Sequence, residues 1–434
     1  MEARSLSRLA RLAAVGVALS LTACGARTSL RDDLPDAATV DASTVDAAAA
    51  LDVAPLPDVP SIPDLPPAPD VPSVPDVPIP MDVVQLAAGG SHTCALRSSG
   101  TVLCWGSNRV GQLGDGTMGP RRPEPRVVEG VADAVFITAG EEHTCAVRRD
   151  GAVLCWGLGT HGELGDGRRV SRATPGPVRG LGEAVQVAGG HNHTCARLRS
   201  GEVSCWGSNT SGELGDDASG NDRVVPVMAV GVTDAVQVVA GFSHSCARLT
   251  SGRVLCWGRN FESQLGDGTS GNFMRFMATP VRGLDDAAEL TSGQFHTCAR
   301  RSTGTVVCWG SNTNGQVGDG SRSQRAAPVG VRSIVDAAGL AAGSNHTCAR
   351  LMGGQVVCWG SNGLGQIGDG SRTDELLPTR TLNLPDAREV VAGLNHTCAR
   401  RTNGQVLCWG FNDQGQIGDG TTERRLVPTP VVGL

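Results

Sequence analysis

The chain has 434 residues and a formal net charge of −6, with no Tyr and all 37 of its basic Lys/Arg side chains as Arg. Residues 1–23 carry +2 and residues 25–82 carry −9, with eleven Asp against two Arg, which leaves +1 for residues 83–434. The large C-terminal part therefore has no basic excess with which to hold a polyanion, and the lack of Tyr removes one family of propeller glycosidase nucleophiles.

The N-terminus reads as an address. Arg4, Arg8 and Arg11 precede a short apolar run, Leu12 to Leu21, too short to span a bilayer but suited to a signal peptide. The run ends in Leu21-Thr22-Ala23-Cys24, which resembles the lipobox of bacterial lipoproteins. That resemblance implies that residues 1–23 are removed, that Cys24 is lipidated, and that the chain is exported and anchored in the cell envelope. Pro-Asp-Val-Pro units then fill Pro55 to Pro80, where many positions lack a backbone donor. Residues 24–82 are expected to form the lipidated Cys and a disordered linker, with a reach of roughly 80 Å over the Pro-rich part.

From Val83 onward the chain repeats. A Cys is followed ten positions later by another that opens Cys-Trp-Gly: Cys94/Cys104, Cys145/Cys155, Cys195/Cys205, Cys246/Cys256, Cys298/Cys308, Cys348/Cys358 and Cys398/Cys408. Successive first members are 51, 50, 51, 52, 50 and 50 residues apart, so one structural unit recurs seven times. Within a unit, short β-prone runs such as Val83–Ala88, His92–Arg97 and Thr101–Gly106 are separated by Gly-containing breaks. A fourth run follows a Pro upstream of each later unit, as in Pro125–Val128. Unit one lacks this run, and Leu426–Val432 at the C-terminus is the candidate to supply it. The expected architecture is all-β, a seven-bladed β-propeller over residues 83–434 whose ring is closed by the C-terminal strand.

If Ser98-Ser99-Gly100 is a turn, Leu96 faces Val102 and Cys94 faces Cys104. Every pair then lies directly across a hairpin, close enough for a disulfide in an oxidising compartment. Each bridge would close a short loop worth about 2–3 kcal/mol at most. A rival is a metal held by the two Cys and the His two residues before the first, although Cys-x9-Cys is not a usual zinc spacing. Seven pairs of free thiols are the other rival.

The pattern Gly-x-x-His-Thr-Cys-Ala, then Gly-x-Val-x-Cys-Trp-Gly-x-Asn-x-x-Gly-Gln-Leu-Gly-Asp-Gly, resembles the repeat of the regulator of chromosome condensation. Its clearest copies are His346–Gly370 and His396–Gly420. The resemblance implies a seven-bladed propeller. It implies function less narrowly, because the eukaryotic namesake exchanges guanine nucleotide on a small GTPase while a bacterial relative inhibits β-lactamases.

Residues present in every unit read as scaffold. These include the His before each Thr/Ser-Cys and the Asp of each Gly-Asp, a turn residue with too few oxygens for calcium on its own. No catalytic constellation, cofactor or metal site is expected. Binding belongs where the units differ, at the tips Glu141-Glu142, His191-Asn192, Phe242-Ser243, Gln294-Phe295 and Leu394-Asn395, and at the loops after Trp-Gly, read as inter-blade connections on the same face. The loop after Trp257 departs most, placing Phe261, Phe273, Met274, Phe276 and Met277 as candidate partner contacts. The expected function is an envelope-anchored monomeric scaffold binding a protein or ligand. A GTPase regulator and a structural spacer are the alternatives.

Overall fold

A computed structural model describes residues 83–434, apart from Ser219 and Asn272. The expected signal peptide, Cys24 and the expected linker lie outside the described residues. Twenty-eight strands among those residues form seven four-stranded antiparallel sheets, with no helix. The first blade holds β1 (Val83–Ala88), β2 (His92–Arg97), β3 (Val102–Asn108) and β4 (Gly119–Val127), hydrogen-bonded in that order. First strands line the axis and fourth strands form the rim. The first strands enclose a cavity of about 280 Å³.

The phase of the unit differs from the sequence expectation. The run after each Pro belongs to the blade before it, so Leu103 and Cys104 pair with Val127 and Arg126 inside blade one. The second Cys of every later unit likewise takes its partner from the run that follows it. Cys155 lies opposite Gly176, Cys205 opposite Val227 and Cys256 opposite Thr279. Cys308 lies opposite Val329, Cys358 opposite Thr379 and Cys408 opposite Thr429. The loops after Trp-Gly therefore join third and fourth strands of one blade. The C-terminal strand Arg425–Pro430 pairs with Val406–Gly410 in blade seven and does not complete blade one. A strictly periodic chain has no local mark of where a unit begins. Here each fourth strand simply hydrogen-bonds the free edge presented by the strand before it.

The ring closes by packing instead. Blade seven meets blade one through a cluster of Val83, Leu86, Ala95, Trp105, Val406 and Ile417, with Val431 and Leu434 against it. Glu389 accepts a hydrogen bond from the Leu86 amide (3.2 Å) and pairs with Arg400 (3.1 Å), which also donates to the Val84 carbonyl.

The hairpin register is as the spacing required: Cys94 lies opposite Cys104 and Leu96 opposite Val102, and the six other units match. Seven disulfides result, each within one blade. They are Cys94–Cys104, Cys145–Cys155, Cys195–Cys205, Cys246–Cys256, Cys298–Cys308, Cys348–Cys358 and Cys398–Cys408. All fourteen cysteines are fully buried. Each Trp packs against the bridge of the preceding blade. Trp156, for example, shares a cluster with Cys94, Cys104, Leu113 and Val128. At about 3–5 kcal/mol lost per buried aromatic truncated, these contacts dominate inter-blade cohesion. They also explain one glycine of the motif: Gly114 has φ +69°, and a Cβ there would lie 2.7 Å from Trp156 Nε1.

Candidate binding site at the mouth of the ring

The repeated polar residues form a buried belt. His92 Nε2 lies 2.9 Å from the Thr144 hydroxyl of the next blade, which donates in turn to the Gln112 carbonyl (2.8 Å). Trp156 Nε1 donates to the same carbonyl (3.0 Å). The set repeats at all seven interfaces, with Ser245 once replacing Thr, and the last joins His396 to Thr93 and Gln416 to Thr93 and Trp105. This identity at the seventh interface is why no shared strand is needed.

The belt fixes the histidine tautomer. A hydroxyl has one proton and spends it on a carbonyl that can only accept, so the His must donate from Nε2. Its Nδ1 is left bare, with no hydrogen-bond partner at any of the seven. Burial holds these rings neutral, lowering His92, His193, His244, His296, His346 and His396 to about 3 and His143 to about 4. A neutral, buried, hydrogen-bonded ring away from solvent holds the blades together. It is not available as an acid, a base or a ligand, and the disulfides remove the sulfurs that a metal would need.

The Gly-Asp aspartates are equally committed. Asp115 accepts from Asn108 (3.0 Å) and from the amide and hydroxyl of Thr117, and pairs with Arg122 (3.3 Å). Burial pushes the carboxyl up, but these hydrogen bonds outweigh it and hold Asp115 below the ordinary carboxylate range. The motif thus staples the third-to-fourth loop. Among the described residues no group of three or more His, Cys, Asp or Glu is placed to hold a metal.

With the repeated residues spent on scaffold, the first-to-second connections become the place to look. They share one face with the third-to-fourth loops, and seven residues, one per blade, ring the axis there. Backbone amides pass hydrogen bonds around the circle, from Gly90 to the Glu141 carbonyl, Glu141 to Gly190, and so on to Leu394 and Gly89, at 3.0–3.3 Å. This annulus frames a small mouth of about 90 Å³ floored by glycines.

Side chains gather on one arc of the annulus. His191 stacks on Phe242, with ring centroids 4.0 Å apart, and Phe242 lies 5.2 Å from Phe295. The Arg259 guanidinium sits over both Phe261 (4.6 Å) and Phe295 (5.2 Å) and pairs with Glu262 (2.8 Å). Glu141 closes the other end, 3.1 Å from His191 Nε2. All seven side chains are half-buried. Three consecutive blades so supply a continuous aromatic strip, with the Arg259–Glu262 ion pair beside it and the Glu141 carboxylate of a fourth blade next to His191, a surface suited to flat apolar groups flanked by polar ones.

Of the five candidate partner contacts in the loop after Trp257, only Phe261 belongs to this strip, alongside the variable tips Glu141, His191, Phe242 and Phe295. Met274, Phe276 and Met277 lie on a strand, Met274–Pro280, where a loop was expected, and that strand is the rim of blade four. Phe273, Phe276 and Met277 are 54%, 36% and 46% exposed, so they do not fold over a satellite core. Phe242, Phe295 and His191 were visible as variable tips but not as a set. His191 and Phe242 occupy equivalent positions, two before the repeated His, whereas Phe295 stands one before it, so no single repeat position marked the set.

Fold and site together define a seven-bladed propeller with a diversified loop face. The RCC1-like domain model matches residues 62–332 and 185–434, and the chain belongs to that family. The ultraviolet-B receptor UVR8 of Arabidopsis thaliana is 30% identical over 255 residues, 57% of this chain and 57% of the receptor. Human HERC2, an E3 ubiquitin-protein ligase, is 30% identical over 254 residues, 56% of this chain and 5% of the ligase. The match thus spans just over half of the plant receptor and a small part of the ligase. Among solved structures, Prp20p of Saccharomyces cerevisiae aligns with a TM-score of 0.67 at 23% identity, over 81% of this chain and 87% of that one. Human WBSCR16 aligns at 0.66 and 21% identity, over 73% and 86%. These two likenesses are of fold.

Proposed function

We propose that this protein is an exported binding scaffold that captures a protein or ligand on the aromatic strip His191–Phe242–Phe295–Arg259–Phe261 and the loops around the axial mouth. The observation that carries the reading is the concentration of unlike side chains where an otherwise uniform ring stops repeating. Aromatic rings and an arginine on a half-buried, preorganised frame are the residue types that dominate binding energy at interfaces. The solved yeast relative Prp20p binds Gsp1p and histones, so a ring of this shape supports protein capture.

Seven disulfides fit an oxidising compartment, and among the described residues no helix is long and apolar enough to cross a membrane. We place the chain in a bacterial cell envelope, held there through lipidated Cys24 and the linker up to residue 82. Support comes from the motif Leu21-Thr22-Ala23-Cys24 at the end of the apolar run.

The test is capture from envelope extract by the mature protein and by a Phe242→Ala/Phe295→Ala variant. A partner retained by the first and lost by the second, at an unchanged unfolding midpoint, supports the reading. Equal capture, or none by either, sinks it, the latter in favour of a spacer. Radiolabelled palmitate incorporated by the wild type and absent from Cys24→Ala tests the anchor. Retention of the mature protein in the cytosol would favour a GTPase role.

A further inference from the structure

Near the strand ends furthest from the annulus, one position of the repeat changes character around the ring. Two residues after the first Cys stand Leu96 and Val147 in blades one and two, then Arg197, Arg248, Arg300, Arg350 and Arg400. Leu96 and Val147 are 2% and 1% exposed and pack into the interface with the next blade. The strand register puts each Arg at the same place, half-buried, where a cation partly withdrawn from water is stabilised by a counter-charge.

Three of the five have a partner. Arg300 and Arg400 pair with the carboxylates directly across the sheet, Glu289 (3.0 Å) and Glu389 (3.1 Å), and Arg350 donates to the Ala338 carbonyl (2.8 Å). In the two adjacent blades three and four the cross-strand position holds a neutral amide, Gln186 opposite Arg197 and Gln237 opposite Arg248. Both amides are already spent at each end, bridging the amide and carbonyl of Val238 and of Leu290. Nε of Arg197 and of Arg248 is buried without a hydrogen-bond partner, and neither guanidinium has an ion pair among the described residues. The nearby acids are committed too: Glu183 to Arg199 (2.7 Å), Glu202 to Ser200 and Glu289 to Arg300. Burial pulls both groups below the ordinary arginine value; at Arg248 the charges of Arg300 and Arg197 add to this and that of Glu289 works against it.

We propose that Arg197 and Arg248 form an anion-binding site on the face opposite the aromatic strip, taking an oxyanion such as a carboxylate, sulfate or phosphate group. The two guanidinium groups stand at the same register position of neighbouring blades and feel each other's charge, so an oxyanion between them would supply the counter-charge that Glu289 and Glu389 give Arg300 and Arg400.

The experiment is thermal unfolding of the full mature chain in sodium sulfate, inorganic phosphate or sodium acetate, against sodium chloride at matched ionic strength. At ten times the dissociation constant a saturable rise of about 2 °C is expected from at least one of the three. The rise should vanish in Arg197→Leu/Arg248→Leu and persist in Arg372→Gln, a change in an exposed loop. Leu already fills this position in blade one, so the double variant should fold, with a midpoint in chloride no lower than the wild type. No saturable effect from any of the three anions, or one that survives in the double variant, overturns the site.

Discussion

Acidification should dismantle this ring through its histidine belt. Seven imidazoles are neutral in the folded protein, with values of about 3 to 4, whereas in the unfolded chain each titrates near the ordinary 6.5. A base with a lowered folded value leaves the unfolded chain holding more protons between those two limits. Stability therefore rises with pH across that window and is lost as pH falls through it. Between pH 7 and pH 5 the loss is about 1.9 kcal/mol per histidine, or about 13 kcal/mol for seven. The figure hardly depends on the folded value, because 3 and 4 alike leave the ring neutral at pH 5. The depressed aspartates, such as Asp115 and Asp419, add to the loss only below about pH 4, and the raised Glu213 and Glu389 offset it slightly. A loss of this size approaches the whole stability of an ordinary domain. Guanidinium unfolding followed by Trp fluorescence at several pH values measures it, since the slope of stability against pH counts protons bound on unfolding. About six are expected at pH 5.5. A His244→Gln variant, whose amide can still donate to Thr297, should remove about one of them. A stability flat from pH 7 to 5, or an uptake below two protons, would refute the buried neutral belt.

Two further outcomes follow from the packing. Denatured but unreduced mature protein should expose no alkylatable thiol among the fourteen paired cysteines by mass spectrometry, and all fourteen after reduction; full labelling without reduction contradicts the bridges. Arg400→Ala strands the half-buried Glu389 carboxylate at the junction of blades seven and one and should cost about 1–3 kcal/mol, read as a lower thermal midpoint. An unchanged midpoint would mean that the Glu389–Arg400 clip does not help to close the ring.

Much of the fold was legible because its determinants are close in the chain. Cys94 and Cys104 are joined by one turn, so their spacing alone sets which residues face each other, and the same arithmetic holds for every later pair. The seven-fold count needed only the period. The closing strand was not legible, because Pro125–Val128 follows one unit and precedes the next, and both assignments respect the spacing. Hydrogen bonding to the free edge of Val102–Asn108 decided it. The rim strand Met274–Pro280 was hidden by Phe and Met residues that resemble a binding loop yet sit at the edge of a sheet.

The aromatic strip and the arginine pair show the same boundary from the functional side. His191, Phe242 and Phe295 are about fifty residues apart from one to the next, and Arg197 and Arg248 are similarly spaced. By itself the sequence determined the repeat, the hairpins, the cross-strand pairing of the cysteines and the residues free to vary. Tertiary structure alone decided which of those residues meet. Contact across blades depends on curling the seven units into a circle, and that curvature comes from Trp, His and Thr contacts between units rather than from any local stretch.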